Sequence, residues 1–132
     1  MTALYKQEEK MTIEVLKEDF TVCKLEERQL FDFESEFSFL SVTDEEISLV
    51  IPTDEAPATT AVREDGWRGM RISGTLDFSL IGILAKISAI LADKNIGIFV
   101  VSTYNTDYIF VKKENLQKAV EALQGEGYEI LI

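Results

Sequence analysis

The sequence contains no histidine. That excludes a Ser-His-Asp triad, a Cys-His pair, a His-ligated zinc and an imidazole pH switch. Its one cysteine, Cys23, leaves no internal disulfide and no CxxC site. A lone thiol fits a reducing compartment. Cys23 lies in an alternating apolar run, where a thiol behaves as a small buried hydrophobe rather than a nucleophile. Basic residues are scarce, 13 against 24 acidic ones, for a net charge of −11. Residues 1–65 hold 17 of the acidic residues and only 6 of the basic ones, and the remainder is balanced. With no basic stripe, the chain is not expected to bind nucleic acid, because phosphate neutralisation supplies most of that affinity. Anionic membrane surfaces are disfavoured for the same reason. No long hydrophobic run is present: the stretch Leu76–Ala92 is interrupted by Asp77, Lys86 and serines, and reads as a buried helix. The first ten residues have no apolar stretch of the signal-peptide kind. A cytoplasmic protein is expected.

What is present is 132 residues that are 46% hydrophobic and 28% charged, an ordinary globular balance. Residues 1–11 read as an N-terminal extension. Ile13, Val15 and Leu16, then Phe20, Val22, Cys23 and Leu25, suggest two short strands with Glu18-Asp19 as the turn. Residues 26–35 are weakly helical. Phe37, Phe39 and Leu40 suggest another strand, and Ile47 to Ile51 a further one that ends at Pro52. A linker rich in Pro, Ala and Thr follows to Thr60.

The second half is more regular. Trp67 to Ile72 reads as a strand. A helix is expected from about Ser79, capped by Asp77 or Ser79. Its apolar stripe is Leu80, Ile83, Leu84, Ile87, Ile90 and Leu91. Small residues Gly82, Ala85, Ala89 and Ala92 are read as letting the helix lie close to a sheet. Asn95 suits a left-handed C-terminal position. Ile96 to Ser102 and Asp107 to Val111 form a hairpin about Tyr104-Asn105-Thr106. A second amphipathic helix spans about Glu114 to Gln124, with Leu116, Ala119, Val120 and Leu123 inward. Tyr128, Ile130 and Ile132 make a last strand. The order strand-helix-strand-strand-helix-strand is a split βαβ, ferredoxin-like α+β unit, with both helices on one face of a four-stranded antiparallel sheet. The first half supplies further strands and no strong helix.

No carboxylate pair is set for acid-base work. There is no P-loop, and Gly66, Gly69, Gly74 and Gly82 do not make GxGxxG. Two segments carry candidate binding chemistry. One is Gly74 to Ile83, a strand-to-helix turn whose free amides suit a carboxylate or phosphate. Asp77 either caps the helix there or holds an ammonium. The other is the polar run Ser102-Thr103-Tyr104-Asn105-Thr106-Asp107, a solvated loop or the second wall of a site. Together they describe a place for a small zwitterion, with amides on its carboxylate and Asp77 or Asp107 on its ammonium. Each charged hydrogen bond contributes roughly 1.5–3 kcal/mol.

The segments Ile72-Ser73-Gly74-Thr75-Leu76-Asp77-Phe78-Ser79-Leu80-Ile81-Gly82-Ile83-Leu84-Ala85 and Ile98 to Val111 resemble the ACT domain, a small ligand-binding regulatory module. The resemblance is to small bacterial proteins with two ACT-like halves, to aspartate kinase regulatory domains and to cytosolic arginine sensors. It implies an ACT domain over 61–132, preceded by a smaller, degenerate ACT-like, β-rich half over 12–60. It also implies regulatory binding of a free amino acid, with no catalytic residue, cofactor or metal. The matching site positions are Asp77, Phe78, Ser79, Leu80 and Ile81 in the loop, and Ile98, Ser102, Thr103 and Asp107 on the hairpin. Open sheet edges and the resemblance lead to an expected homodimer. With no catalytic domain in the chain, any output passes to a regulated protein partner. The alternative is an ACT-type interaction module without a ligand, docking through Asp44-Glu45-Glu46 and the Glu34–Glu36 stretch.

Overall fold

Two long strands organise the chain. The computed structural model describes residues 12–26, 35–58, 60, 62–73 and 82–132. Strand β1 spans Thr12–Leu25 and β4 spans Val62–Ile72, and they pair antiparallel along most of their length. Between them in sequence lie β2 (Phe39–Val42) and β3 (Ile47–Pro52). After β4 come α1 (Ile83–Asp93), β5 (Ile98–Ser102), β6 (Asp107–Lys112), α2 (Leu116–Gly125) and β7 (Glu129–Leu131). One continuous sheet has the order β2-β3-β1-β4-β6-β5, with β7 on the start of β1. The architecture is the expected ferredoxin-like α+β type.

Where a turn was expected at Glu18-Asp19, β1 continues. Its odd residues Ile13, Val15, Thr21, Cys23 and Leu25 are buried on one face, and Leu16 and Phe20 are buried on the other. The charged stretch Lys17-Glu18-Asp19 is a bulge: the register steps from Val15↔Met70 to Asp19↔Arg68. Bulging takes the Leu16 carbonyl out of the ladder, and Arg68 Nη2 donates to it at 2.8 Å. Lys113 pairs with Asp19 at 3.2 Å. A second irregularity falls on β4 between Trp67 and Glu64, where Gly66 takes φ 89°. Only glycine adopts that angle without strain.

The sheet of the second half also differs from a plain four-stranded one. The start of β1 is inserted between β4 and β7, and β7 pairs with it in parallel, Thr12↔Glu129 to Glu14↔Leu131. Because β1 runs antiparallel to β4, a last strand that itself runs antiparallel to β4 must lie parallel to β1. Strands β1 to β4 have the order β2-β3-β1-β4, again with antiparallel neighbours. A 3-10 turn at Thr53–Glu55 lies between β3 and β4. The weakly helical reading of 26–35 falls almost wholly outside the described residues.

Both helices cover one face, packing Ile87, Leu91, Ala119, Val120 and Leu123 on Ile13, Val15, Met70, Ile72, Ile109 and Val111. As α1 is described, it starts at Ile83, not near Ser79, with Gly82 at its N-cap and no side-chain cap bond. Asp77, Ser79 and Leu80 lie outside the described residues. Ala85, Ala89 and Ala92 are exposed, so they do not bring the helix onto the sheet. They fall on their own stripe, about 100–160° around the helix from Ile87 and Leu91. Asn95 has φ 61° as expected. Cys23 is buried, and burial raises its thiol pKa, which keeps it protonated. Among the described residues no helix is long and apolar enough to cross a membrane.

The opposite face is aromatic. Phe110 is fully buried, stacked on Phe99 at 4.6 Å and met edge-on by Phe20 at 5.2 Å. Phe39 of β2 meets it at 6.1 Å, which draws the first half of the sheet over this face. Gly69 on β4 makes the room: a Cβ there would lie 2.9 Å from Phe110 Cε2 and 3.3 Å from Leu16 Cδ1. The ring is wedged and has nowhere to retreat. Gly69→Ala is expected to cost about 1–3 kcal/mol by overpacking, read as a lower midpoint in chemical denaturation. An unchanged midpoint would contradict the packing described.

Candidate functional site

The geometry of the candidate region follows from the end of β4. The β4–β6 ladder runs to Arg71↔Tyr108, and the β5–β6 hairpin then turns back to Ser102. Ser102 and Asp107 are the last pair of the hairpin, and the Ser102 hydroxyl donates to Asp107 Oδ1. The turn is closed by the Thr103 N–H, which donates to the Thr106 carbonyl at 2.8 Å. The Thr103 hydroxyl donates to the same carbonyl at 3.1 Å. Such side-chain-to-backbone bonds let a short polar turn hold one shape.

Thr106 joins this turn to β4. It is 6% exposed, and its hydroxyl donates to the Ile72 carbonyl at 2.7 Å. The next residue, Ser73, donates its N–H to the Thr12 carbonyl at 2.8 Å. The exit of β4 is therefore fixed to the hairpin on one side and to β1 on the other. Arg71, one residue earlier, donates to Glu14 at 2.8 Å and lies over the Phe37 and Tyr108 rings at 5.5 and 5.9 Å. The Glu14 carboxylate raises the Arg71 pKa further, so its charge is permanent.

The sequence-based site residues fall into three groups. Ser102, Thr103 and Asp107 come together at the hairpin end. Ser102 and Thr103 are exposed and Asp107 is half-buried. Ile98 is on the same face of β5 as Ser102, but four residues away, about 13 Å along the strand. It packs against the helix-side core. Asp77, Phe78, Ser79, Leu80 and Ile81 lie outside the described residues. The chain re-enters the description at Gly82, the N-cap of α1. The first amides of that helix have no side-chain cap bond, which leaves donors suited to an anion. Thr106 and Ser73 lie within the segments the sequence singled out but were not among the expected site residues. A buried threonine at the end of a polar turn has no distinguishing pattern, since its partner lies 34 residues away.

A concavity of about 410 Å³ lies at the other end of the sheet, between Lys24–Glu26 and Val42–Ile47. Glu26, Asp44, Glu45 and Glu46 line it. Among the described residues, no group of three side chains is placed to hold a metal. The candidate region thus offers backbone amides, two hydroxyls and a carboxylate, a donor and acceptor set for recognition.

Comparison with known proteins points to a family and a fold. Residues 62–125 match the ACT domain family. The human cytosolic arginine sensor for mTORC1 subunit 1 is 33% identical over 84 residues, 63% of this chain and 25% of the sensor. The chain spans between 25% and 55% of the length of the curated relatives it matches. Among solved structures, protein Atu0741 of Agobacterium tumefaciens has a TM-score of 0.82 at 25% identity and covers 93% of both chains. The aspartate kinase of Clostridium acetobutylicum shares the fold, with a TM-score of 0.64 at 19% identity, over 88% of this chain and 34% of the kinase.

Proposed function

We propose, from the match of residues 62–125 to the ACT domain family, that this chain is a regulatory sensor and not an enzyme. It takes a free amino acid in a site between the segment that follows β4 and the β5–β6 hairpin. One observation carries the reading. The Thr106 hydroxyl ties the hairpin to the Ile72 carbonyl, so the polar hairpin end and the exit of β4, remote in sequence, are held together at one end of the sheet. Similarity to a protein named as an arginine sensor supports an amino acid as the ligand class.

In this reading the uncapped amides of α1 and the loop before it take the α-carboxylate. Asp77 or Asp107 takes the ammonium, with Ser102 holding Asp107 in place. Phe78, Ser79, Leu80, Ile81 and Thr103 complete the walls, and Ile98 supports the strand that carries Ser102. Ligand contact at Gly74–Leu80 is passed on across an interface. The chain works in the cytoplasm as a homodimer with a regulated protein partner, without nucleic acid, membrane or cofactor. The adjacent strands β2-β3-β1 support residues 12–60 as a degenerate ACT-like half, ahead of the ACT domain at 61–132 and after the extension at 1–11.

A thermal-shift screen against the twenty amino acids is expected to give a saturable rise for one or two of them. A ligand at one hundred times its dissociation constant stabilises by about 2.7 kcal/mol, a shift of several degrees in a chain of this size. Asp77→Ala is expected to abolish the shift and leave the melting temperature of the free protein in place. A flat panel from well-folded protein would reject the sensor reading, and normal binding by the variant would reject the site. Light scattering is expected to give twice the mass of the chain; a single-chain mass at high concentration would reject the dimer.

A further inference from the structure

We infer that Thr106 is the positioning residue of this site: its buried hydroxyl fixes the β5–β6 hairpin against the exit of β4. The functional consequence rests on the amino-acid-binding reading, and the geometry does not. Past Arg71↔Tyr108 the β4–β6 ladder has no further pair. The Thr106 Oγ1–Ile72 O bond at 2.7 Å continues the attachment one residue beyond it.

The bond is strong in context because both partners are out of water. Thr106 is 6% and Ile72 0% exposed. Removing the hydroxyl leaves a buried carbonyl unsatisfied, which costs more than the bond itself contributed. Thr106 also shapes the turn. Its carbonyl accepts from the Thr103 N–H and hydroxyl, and its N–H donates to Thr103 Oγ1 at 3.4 Å. One residue therefore sets both the shape of the turn and its height above β4. Asp107 follows directly, and its pairing with Ser102 inherits that placement. Thr106 does not itself need to touch a ligand.

A suitable control exists in the same sheet. Thr21 is the other buried threonine among the described residues, and is fully buried. Its hydroxyl engages Asp65 at 2.6 Å and Thr53 at 2.9 Å, away from the hairpin. Thr106→Val and Thr21→Val each delete one buried hydroxyl at nearly constant volume. A merely structural role would make the two behave alike.

The test is calorimetric titration of the full chain and its variants with each of the twenty amino acids, together with amide hydrogen exchange on the free proteins. Thr106→Val is expected to weaken whichever amino acid the wild type binds by about tenfold, the equivalent of one hydrogen bond. Thr106→Ser, which keeps the hydroxyl, is expected to restore affinity to within about twofold. Thr21→Val is expected to leave affinity unchanged. In the free protein, exchange at the Thr103 and Ser73 amides should quicken in Thr106→Val and not in Thr21→Val. Unchanged exchange at both amides would overturn the inference, as would equal loss of affinity in the two valine variants. If the wild type binds none of the twenty, the sensor reading fails, and exchange alone decides whether Thr106 fixes the hairpin.

Discussion

Everything in this molecule is registered on the antiparallel pairing of β1 with β4. The pairing runs from Ile13↔Ile72 to Lys24↔Val62. It buries Ile13, Val15, Met70 and Ile72 under the helices, and Leu16, Phe20 and Gly69 on the aromatic face. β3 attaches to the far half of β1, β7 to its near end, and β6 to the second half of β4. Two short sheets become one because these strands are long enough to serve both. The exit of β4 is thereby placed between the start of β1 and the hairpin, tied to one by the Ser73 N–H and to the other by the Ile72 carbonyl.

The bulges in this pairing are what make its length possible. An unbroken ladder continued from Val15↔Met70 would set Lys17 opposite Arg68, a like-charge pair, and Glu18 opposite Trp67. Instead the backbone steps aside, Arg68 satisfies the freed Leu16 carbonyl, and Lys113 reaches Asp19 from beyond β6. These ion pairs are partly exposed and contribute little stability each. Their role is to give the displaced charges partners without ending the strand.

Much of the second half was legible in the sequence, and for identifiable reasons. The stripe Ile83, Leu84, Ile87, Ile90 and Leu91, the left-handed Asn95 and the alternating hairpin strands are local signals, and the fold keeps them. The long β1 was not legible, because a three-residue charged stretch looks the same whether it turns or bulges; its partners Arg68 and Lys113 are far away in sequence. The insertion of β1 between β4 and β7 was hidden for the same reason, as strand order is a tertiary property. The exposed alanines of α1 show that small residues at helical spacing do not name the face they lie on. At the candidate site, Ser102, Thr103 and Asp107 stood out as a polar run. Thr106 belongs to the same run but was not singled out as a site residue, because its contribution is one buried bond to a main-chain carbonyl.

The central claim is that an amino acid is recognised where the exit of β4 meets the β5–β6 hairpin. Residue-resolved NMR of the full chain, titrated with the amino acids in turn, tests it most directly. The account requires a saturable response centred on Ser73, Gly82 and Ser102 to Asp107, with the amides of β2 and β3 unmoved. A response centred on Val42 to Ile47, or spread evenly over both halves, would contradict it.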